Sequence, residues 1–439
     1  MLSQAENELI TQVGPGTPMG ELMRQYWAPA LLSSELSADG DPRRVLLLGE
    51  QLIAFRDTKG QVGLVQNACP HRGASLFFGR NEECGLRCVY HGWKFDVSGA
   101  CVDMPNEPTE SNFKHKVRAT AYPTQERGGV VWAYLGPREL PPPLPNLEAN
   151  MLGEASSAIA YEGQCNWLQI LEGDIDTVHS GFLHRGSLDP DKMPKDTFME
   201  YQIRERAPHY ELFDTEGGSC YGAYREAKPG FDYWRIAQWL FPFYSMAPAG
   251  LLGLGKGLFA RVPMDDTHTM SYLIAPRSTN QIRRPGAGDG EGGRPQMLPD
   301  STDWVGRFRF AANAANDWGT DRQKQRANVG RQGYSGINGT LLQDAAVTGS
   351  MGPVFDRSTE HLGSSDVMII RVRRRLLAAA QALMRDGAVP PGVDHPDAYA
   401  VRSGGALLPQ GVNWIEATAE LRKAFVEHPE LDPSIVGVA

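Results

Sequence analysis

Cys69-Pro70-His71-Arg72-Gly73 and Cys88-Val89-Tyr90-His91-Gly92 decide the reading of this chain. Each string supplies one thiol and one imidazole, and sixteen residues separate His71 from Cys88. Cys/His pairs at short spacing also bind zinc, and Cys84 lies near enough in the sequence to join such a set. Zinc knuckles favour C-x2-C, whereas these strings are C-x-H and C-x2-H.

Two thiolates and two imidazoles so spaced are the donor set of a Rieske [2Fe–2S] centre, with Cys69 and Cys88 on one iron and His71 and His91 on the other. Gly73, Gly85 and Gly92 let backbone amides come close to cluster sulfides. Histidine ligation raises the reduction potential above that of an all-cysteine cluster, so the chain handles single electrons.

The chain has 439 residues, more than one core organises, so two or three domains are expected. No run approaches the roughly 20 apolar residues of a membrane span. The N-terminus has neither a basic nor an apolar leader region, so no secretory signal is expected. Of six cysteines, two are assigned to the cluster. Cys84, Cys101, Cys165 and Cys220 read as free thiols in a reducing cytoplasm. A net charge of −9 argues against a nucleic-acid partner and suits docking to a basic patch on an electron donor.

Residues 1–40 read as an N-terminal arm. From 41 to 150 the pattern is strand-like: Val45–Leu48 and Leu52–Phe55 flank Gly49-Glu50, Val62–Val65 follows, and Val130–Leu135 closes the all-β segment. Leu140-Pro141-Pro142-Pro143-Leu144-Pro145 reads as an extended linker. The segment 151–439 opens with a long helix expected over Trp167–Leu183. Strand-like runs Tyr233–Leu240 and Thr269–Ile274 follow. Residues 279–302, nearly devoid of apolar side chains, read as a flexible surface loop. Ser364-Ser365-Asp366 caps a helix that runs to Asp386 and stops at Gly387.

Asp176, His179 and His184 form a second candidate metal site. Two histidines and a carboxylate with open positions make the facial triad of a non-haem Fe(II) centre that activates O2. On a straight helix, residues five apart are about 140° apart around the axis. Gly181 is expected to let the helix bend so that both imidazoles meet. Asp176 shares a face with His179 and can accept from its ring N–H.

The chain resembles the oxygenase component of Rieske non-haem iron aromatic-ring hydroxylating systems over nearly its whole length. Asn166-Trp167-Leu168-Gln169, Met351-Gly352-Pro353-Val354-Phe355-Asp356-Arg357 and Glu360-His361-Leu362-Gly363 are most similar to the phthalate-dioxygenase-like branch. The resemblance implies an α+β chain: an all-β Rieske domain, then a helix-grip-like antiparallel-sheet catalytic domain with long helices. It assigns Asp344, in Gln343-Asp344, as the third iron ligand over Asp174, Asp176 and Asp189. It makes Asp176 the carboxylate that carries electrons from a neighbouring subunit's Rieske histidine, which requires a homotrimer or a stacked pair of trimers. Thr348-Gly349-Ser350 stands where that branch leads one to expect a longer polar or acidic side chain.

The implied activity is that of a terminal oxygenase in aromatic catabolism. A flavin and iron–sulfur reductase, with or without a ferredoxin, passes electrons from NAD(P)H to the cluster and on to Fe(II), where O2 is used. The expected substrate is an aromatic carboxylate undergoing cis-dihydroxylation. O-Demethylation of a methoxylated aromatic acid is the alternative, and a pure electron carrier a remote one. A substrate carboxylate needs a cation. Arg225 and Ser180 are the substrate contacts expected, with Arg204, Arg206, Arg235 and Arg261 as other candidates.

Overall fold

Alternation along one strand shows how the first half of the chain is organised. In Glu50–Arg56, Leu52 and Ala54 enter the main core, while Ile53 and Phe55 enter a second core that holds Cys69 and Cys88. Successive side chains of a strand point to opposite faces, so a strand between two cores is apolar throughout. The computed structural model describes residues 1–108, 110–281, 294–330 and 332–431.

The part of the chain that carries Cys69 and Cys88 is built from three small antiparallel sheets. Arg43–Leu47, Glu50–Arg56 and Val62–Gln66 form one. Leu48 and Gly49 join its first hairpin at φ 49° and 77°, the two-residue turn whose twist matches paired strands. Arg80–Glu82, Gly85–Arg87, Lys94–Phe95 and Cys101–Asp103 form the second, around the cysteine loops. In the third, Trp27–Leu32 pairs with Val130–Tyr134, which pairs with Thr124–Arg127. Within residues 1–40, Trp27–Leu32 supplies an edge strand here, and the helices Gln4–Thr11 and Pro18–Arg24 pack on the helix Val367–Asp386. Leu140–Pro145 carries no helix or strand.

The remainder is an eight-stranded antiparallel sheet. Its order is Ser156–Gly163, Thr269–Pro276, Leu258–Pro263, Tyr244–Met246, Phe231–Leu240, Gly218–Lys228, His209–Asp214, with Gly404–Pro409 also paired to Phe231–Leu240. The helices Trp167–Ile175 and Val367–Asp386 pack against it. The second buries Met368, Ile369, Val372, Leu376, Leu377 and Ala380, one stripe at helical spacing, and Gly387 ends it at φ 65°. The α+β architecture agrees with the expectation. No helix of the described residues is long and apolar enough to cross a membrane.

Two expectations need correction or limit. The helix expected over Trp167–Leu183 is broken: it ends at Ile175, Asp176 is extended (φ −84°, ψ 105°), and a one-turn helix His179–Phe182 follows. Of the loop expected over 279–302, residues 282–293 lie outside the described residues. Its far end is anchored, Leu298 N donating to Arg309 O at 2.8 Å.

A buried ion pair joins distant parts of the chain. Arg402 donates to both oxygens of Glu148 (2.6 and 2.7 Å), and Lys256 lies 3.1 Å from the same carboxylate. Burial works to raise the Glu148 pKa, but the two cations bring it below its usual 4.5. Its stabilisation is thus present above about pH 4.5 and lost as the pH falls through the lowered value. Glu148→Gln strands a buried guanidinium, which costs about 3–5 kcal/mol. A lower thermal unfolding midpoint at pH 7 that converges on wild type in acid is the expected outcome.

Candidate metal centres and the cavities beside them

The two cysteine loops are built alike. Cys69 N donates to Ala74 O (2.8 Å) and Gly73 N to Cys69 O (2.9 Å); Cys88 N donates to Trp93 O (2.8 Å) and Gly92 N to Cys88 O (2.9 Å). Gly73 and Gly92 close these turns at φ 77° and 78°, and a Cβ on Gly92 would meet Pro105 at 2.6 Å. Both thiols are buried, and the His71 and His91 rings stand edge to face at 4.3 Å. Burial, with Cys88 beside it, pushes the Cys69 thiol up to about 11. Desolvation, and then His71, hold the His91 imidazole below its ordinary value. His71 Nδ1 is buried without a hydrogen-bond partner. Cys84 stands apart, in the turn after Arg80–Glu82 at φ 58°.

The second group is positioned by two helices locked to each other. Asn166 caps Trp167–Ile175, its Oδ1 accepting from Leu168 N. Gln169 Nε2 donates to the carbonyls of Thr348 and Gly352, both at 3.0 Å, and its Oε1 accepts from Phe355 N at 2.9 Å. Asn166 N donates to Pro353 O. The Asn166–Gln169 string is thus bonded to the Met351–Arg357 string. The helix Thr340–Ser350, which carries Asp344, is held against the helix that leads to His179.

At the break, Asp176 Oδ1 accepts from Val178 N at 2.8 Å and starts the next turn. His179 Nε2 and His184 Nε2 come within 3.1 Å of each other. Asp344 Oδ1 lies 3.2 Å from the second and 3.7 Å from the first. Asp176 Oδ2 is 3.7 Å from His179 Nδ1, too far for a hydrogen bond, and that ring nitrogen is buried and unpartnered. Burial works against a charged His179, yet Asp176 and Asp344 bring its pKa above the ordinary value. Gln343 fixes the other ring. Its Nε2 donates to Ser335 Oγ (2.9 Å) and Ile337 O (3.1 Å), so its Oε1 must accept from His184 Nδ1 at 2.7 Å. That leaves the Nε2 lone pair of His184 facing Asp344.

The competing aspartates are used elsewhere. Asp174 is gripped by Arg261 (Nε at 2.7 Å) and Ser245 (2.6 Å), and Asp189 caps a turn at Pro190–Lys192.

Two cavities meet at this group. The larger, about 460 Å³, is lined by His179, His184 and Asp344 together with Ser180, Tyr233 and Arg235. The smaller, about 270 Å³, reaches His179 and Asp344 from the side of Ser156–Gly163. Arg225 lines neither. It lies opposite Tyr233 on the same sheet face, but the helix Phe198–Arg204 covers it and Gln202 O accepts from it at 3.2 Å. Arg204 pairs with Glu200 and Asp191, Arg206 lies over Phe182, and Arg261 is held by Asp174. Arg235 alone of the candidates both lines the larger cavity and is held by neutral partners, Thr177 Oγ1 at 2.6 Å and Gln202 Oε1 at 3.0 Å. Gln202 also donates to Ser180 Oγ.

Comparison with known proteins decides the family. The Rieske [2Fe-2S] domain family matches residues 26–122, and the family described as LigXa C-terminal domain like matches residues 133–435. The chain is 46% identical to the oxygenase subunit of 3-chlorobenzoate-3,4-dioxygenase from Comamonas testosteroni, over 93% of this chain and 96% of that one. It is 37% identical to the oxygenase subunit of phthalate 4,5-dioxygenase from Pseudomonas putida, over 87% of each. The chain is a Rieske non-haem iron oxygenase.

The same fold is found in crystalline dicamba monooxygenase bound to dicamba, at a TM-score of 0.56 and 17% identity over 82% of this chain and 98% of that one. As a Rieske oxygenase the protein uses a [2Fe–2S] cluster, Fe(II), O2 and reductase-supplied electrons. Its side chains fit both groups. Two buried thiols lie beside two imidazoles, one with an orphaned nitrogen, and the ligand atoms of His179, His184 and Asp344 lie within 4.8 Å of one another.

Sequence reasoning missed Gln343 as the residue that orients His184, because a glutamine on a helix carries no signal without the loop it bonds. Gln343→Leu is expected to weaken Fe(II) binding ten- to a hundredfold, as loss of a hydrogen bond to a ligand imidazole commonly does. Titration of chain stripped of its mononuclear metal, followed by the spectrum of Co(II) as a probe, measures this. Unchanged affinity would show that the amide does not orient the ring.

Proposed function

We propose that this Rieske oxygenase hydroxylates an aromatic carboxylate held in the larger cavity, with Arg235 as the anchor for the carboxylate. The observation that carries the reading is the state of Arg235. Among the described residues, no carboxylate pairs with it, although it lines a cavity shared with His179, His184 and Asp344. Thr177 and Gln202 hold its guanidinium in place and leave its charge uncompensated. A planar carboxylate is the natural complement. Ser180 Oγ, in the same cavity, donates to Thr177 O and accepts from Gln202, so it steadies the group that holds Arg235. The names of the two relatives, one a chlorobenzoate and the other a phthalate dioxygenase, favour an acid and ring dihydroxylation.

In this reading Cys69, Cys88, His71 and His91 hold the cluster, and His179, His184 and Asp344 hold Fe(II). When bound, the iron supplies activation of O2 at positions the three side chains leave open. Gln343 keeps His184 in the tautomer that presents Nε2. Arg235 fixes the acid end of the substrate, so the ring carbons presented to the metal are set by the distance from that anchor.

Assembly completes the site. We infer a head-to-tail ring, a trimer or a stacked pair of trimers, in which one copy's cluster tip meets the next copy's Asp176. Two surfaces support it. Val89 and Tyr90, beside His91, are 58% and 55% exposed, and Val347, Met351 and Val354 expose apolar surface after Asp344. The electrons come from a separate reductase, with or without a ferredoxin.

Arg235→Gln is expected to lower kcat/KM for benzoate-type substrates roughly 30- to 1000-fold, the equivalent of about 2–4 kcal/mol for a lost charge partner. The corresponding neutral amides should lose far less. An equal loss for acid and amide would refute the anchor. Product analysis in the same assays separates diol formation from O-demethylation.

Asp176→Asn is expected to keep both metals and the oligomer while slowing single-turnover transfer from a pre-reduced cluster by at least tenfold. Normal transfer, or turnover by a dilute monomer, would refute the bridging role.

A further inference from the structure

Glu162 lies on the strand Ser156–Gly163, just ahead of the helix that leads to His179. It is 4% exposed, and among the described residues no hydrogen-bond partner reaches its carboxyl. A buried, unpartnered carboxyl is a cost that an apolar residue would avoid. It lines the smaller cavity, whose other wall includes His179 and Asp344. The cavity, about 270 Å³, has room for a chain of waters.

His268 immediately precedes Thr269, which pairs with Gly163 beside Glu162 on the neighbouring strand. Its ring is 3.1 Å from Asp265 and 30% exposed. The charged and titratable groups that act on Glu162 are His268, Arg309 and Asp265. Cys165, Arg261, Glu172 and Arg373 also face the cavity, but Arg261 and Arg373 are paired with Asp174 and with Glu172 and Glu360. Unlike Glu172, Asp174 and Glu360, Glu162 has no arginine partner among the described residues.

From this geometry we infer that Glu162, reloaded from the solvent through His268, delivers protons along the smaller cavity to the oxygenase centre. The inference rests on the iron site proposed above. Dihydroxylation takes up O2, two electrons and two protons, and O-demethylation takes up the same, so either reaction needs a proton route. The larger cavity is reserved for substrate, and a closed substrate pocket excludes bulk water. Each transfer balances. The Glu162 carboxyl gives one proton to the cavity waters and becomes a carboxylate, a His268 imidazolium returns one, and solvent reprotonates the imidazole. Burial raises Glu162 to about 7, so it carries a proton below neutrality and releases it readily near it. Asp265 raises His268.

Glu162→Gln keeps the shape and removes the proton. The holoenzyme with its reductase is assayed from pH 6 to 8.5 for O2 consumed, product formed and peroxide released. The variant is expected to lose at least tenfold in kcat, to lose the limb near pH 7, and to leak peroxide, with substrate affinity and cluster reduction unchanged. His268→Asn, at the surface end, is expected to depress the same limb severalfold even if the first variant folds poorly. A readout independent of turnover is infrared titration of the substrate-free holoenzyme, in which a carboxyl band that titrates near pH 7 in wild type is absent from Glu162→Gln. Wild-type kcat, pH profile and product yield in both variants, or no such band, would overturn the relay alone. A wild-type protein that forms no product overturns the proposed function and the relay with it.

Discussion

Two imidazoles five residues apart cannot face one point from a regular helix, and the grouping of His179, His184 and Asp344 depends on how the chain breaks that geometry. The break is at Asp176. Its backbone leaves the helical region, its carboxylate takes the amide of Val178, and a single new turn presents His179 and His184 to each other. Asp344 then arrives from a different helix. Its position is secured by the hydrogen bonds from Gln169 and Asn166 to residues 348–355. Behind them, Glu172 is held by Arg357 and Arg373, and Arg373 pairs with Glu360. The last helical turn before Asp176 is thereby fixed on the buried side. Removing either arginine from this network would leave Glu172 with one cation instead of two, one turn before the residue on which the break depends.

Charge accounting separates the two cavities. Arg261 and Arg373 open onto the smaller one, but each is paired with a carboxylate, so among the described residues neither guanidinium is left free for an anionic ligand there. Arg235, in the larger one, is held by neutral groups. An acid substrate and a proton route can therefore approach the same two side chains, His179 and Asp344, from different sides without competing for one space.

Much of this was legible in the sequence, for physical reasons that can be named. The cysteine loops are local: two short strings carry both thiols and both imidazoles, and each loop closes within five residues through a glycine at positive φ. The hairpin at Gly49 and the helix ended by Gly387 are local as well. The helix break was misplaced because Gly181 is the obvious weak point, whereas the interruption comes from Asp176 competing for backbone amides. Gln343 was invisible because its role depends on Ser335 and Ile337, a loop away. Arg225 and Arg235 share a face of the sheet, and only the cover provided by Phe198–Arg204 distinguishes them. The family strings at 166–169 and 351–357 were recognisable but unexplained until their mutual hydrogen bonds were seen.

The central claim is that His179, His184 and Asp344 form one iron site distinct from the cluster. Iron analysis of Asp344→Ala prepared without oxygen, set beside its cluster absorption and electron paramagnetic resonance spectrum, tests it most directly. The account predicts one iron fewer per chain than wild type, with the Rieske signal undiminished. An Asp344→Ala protein that retained the full iron content and the wild-type rate of oxygenation would contradict it.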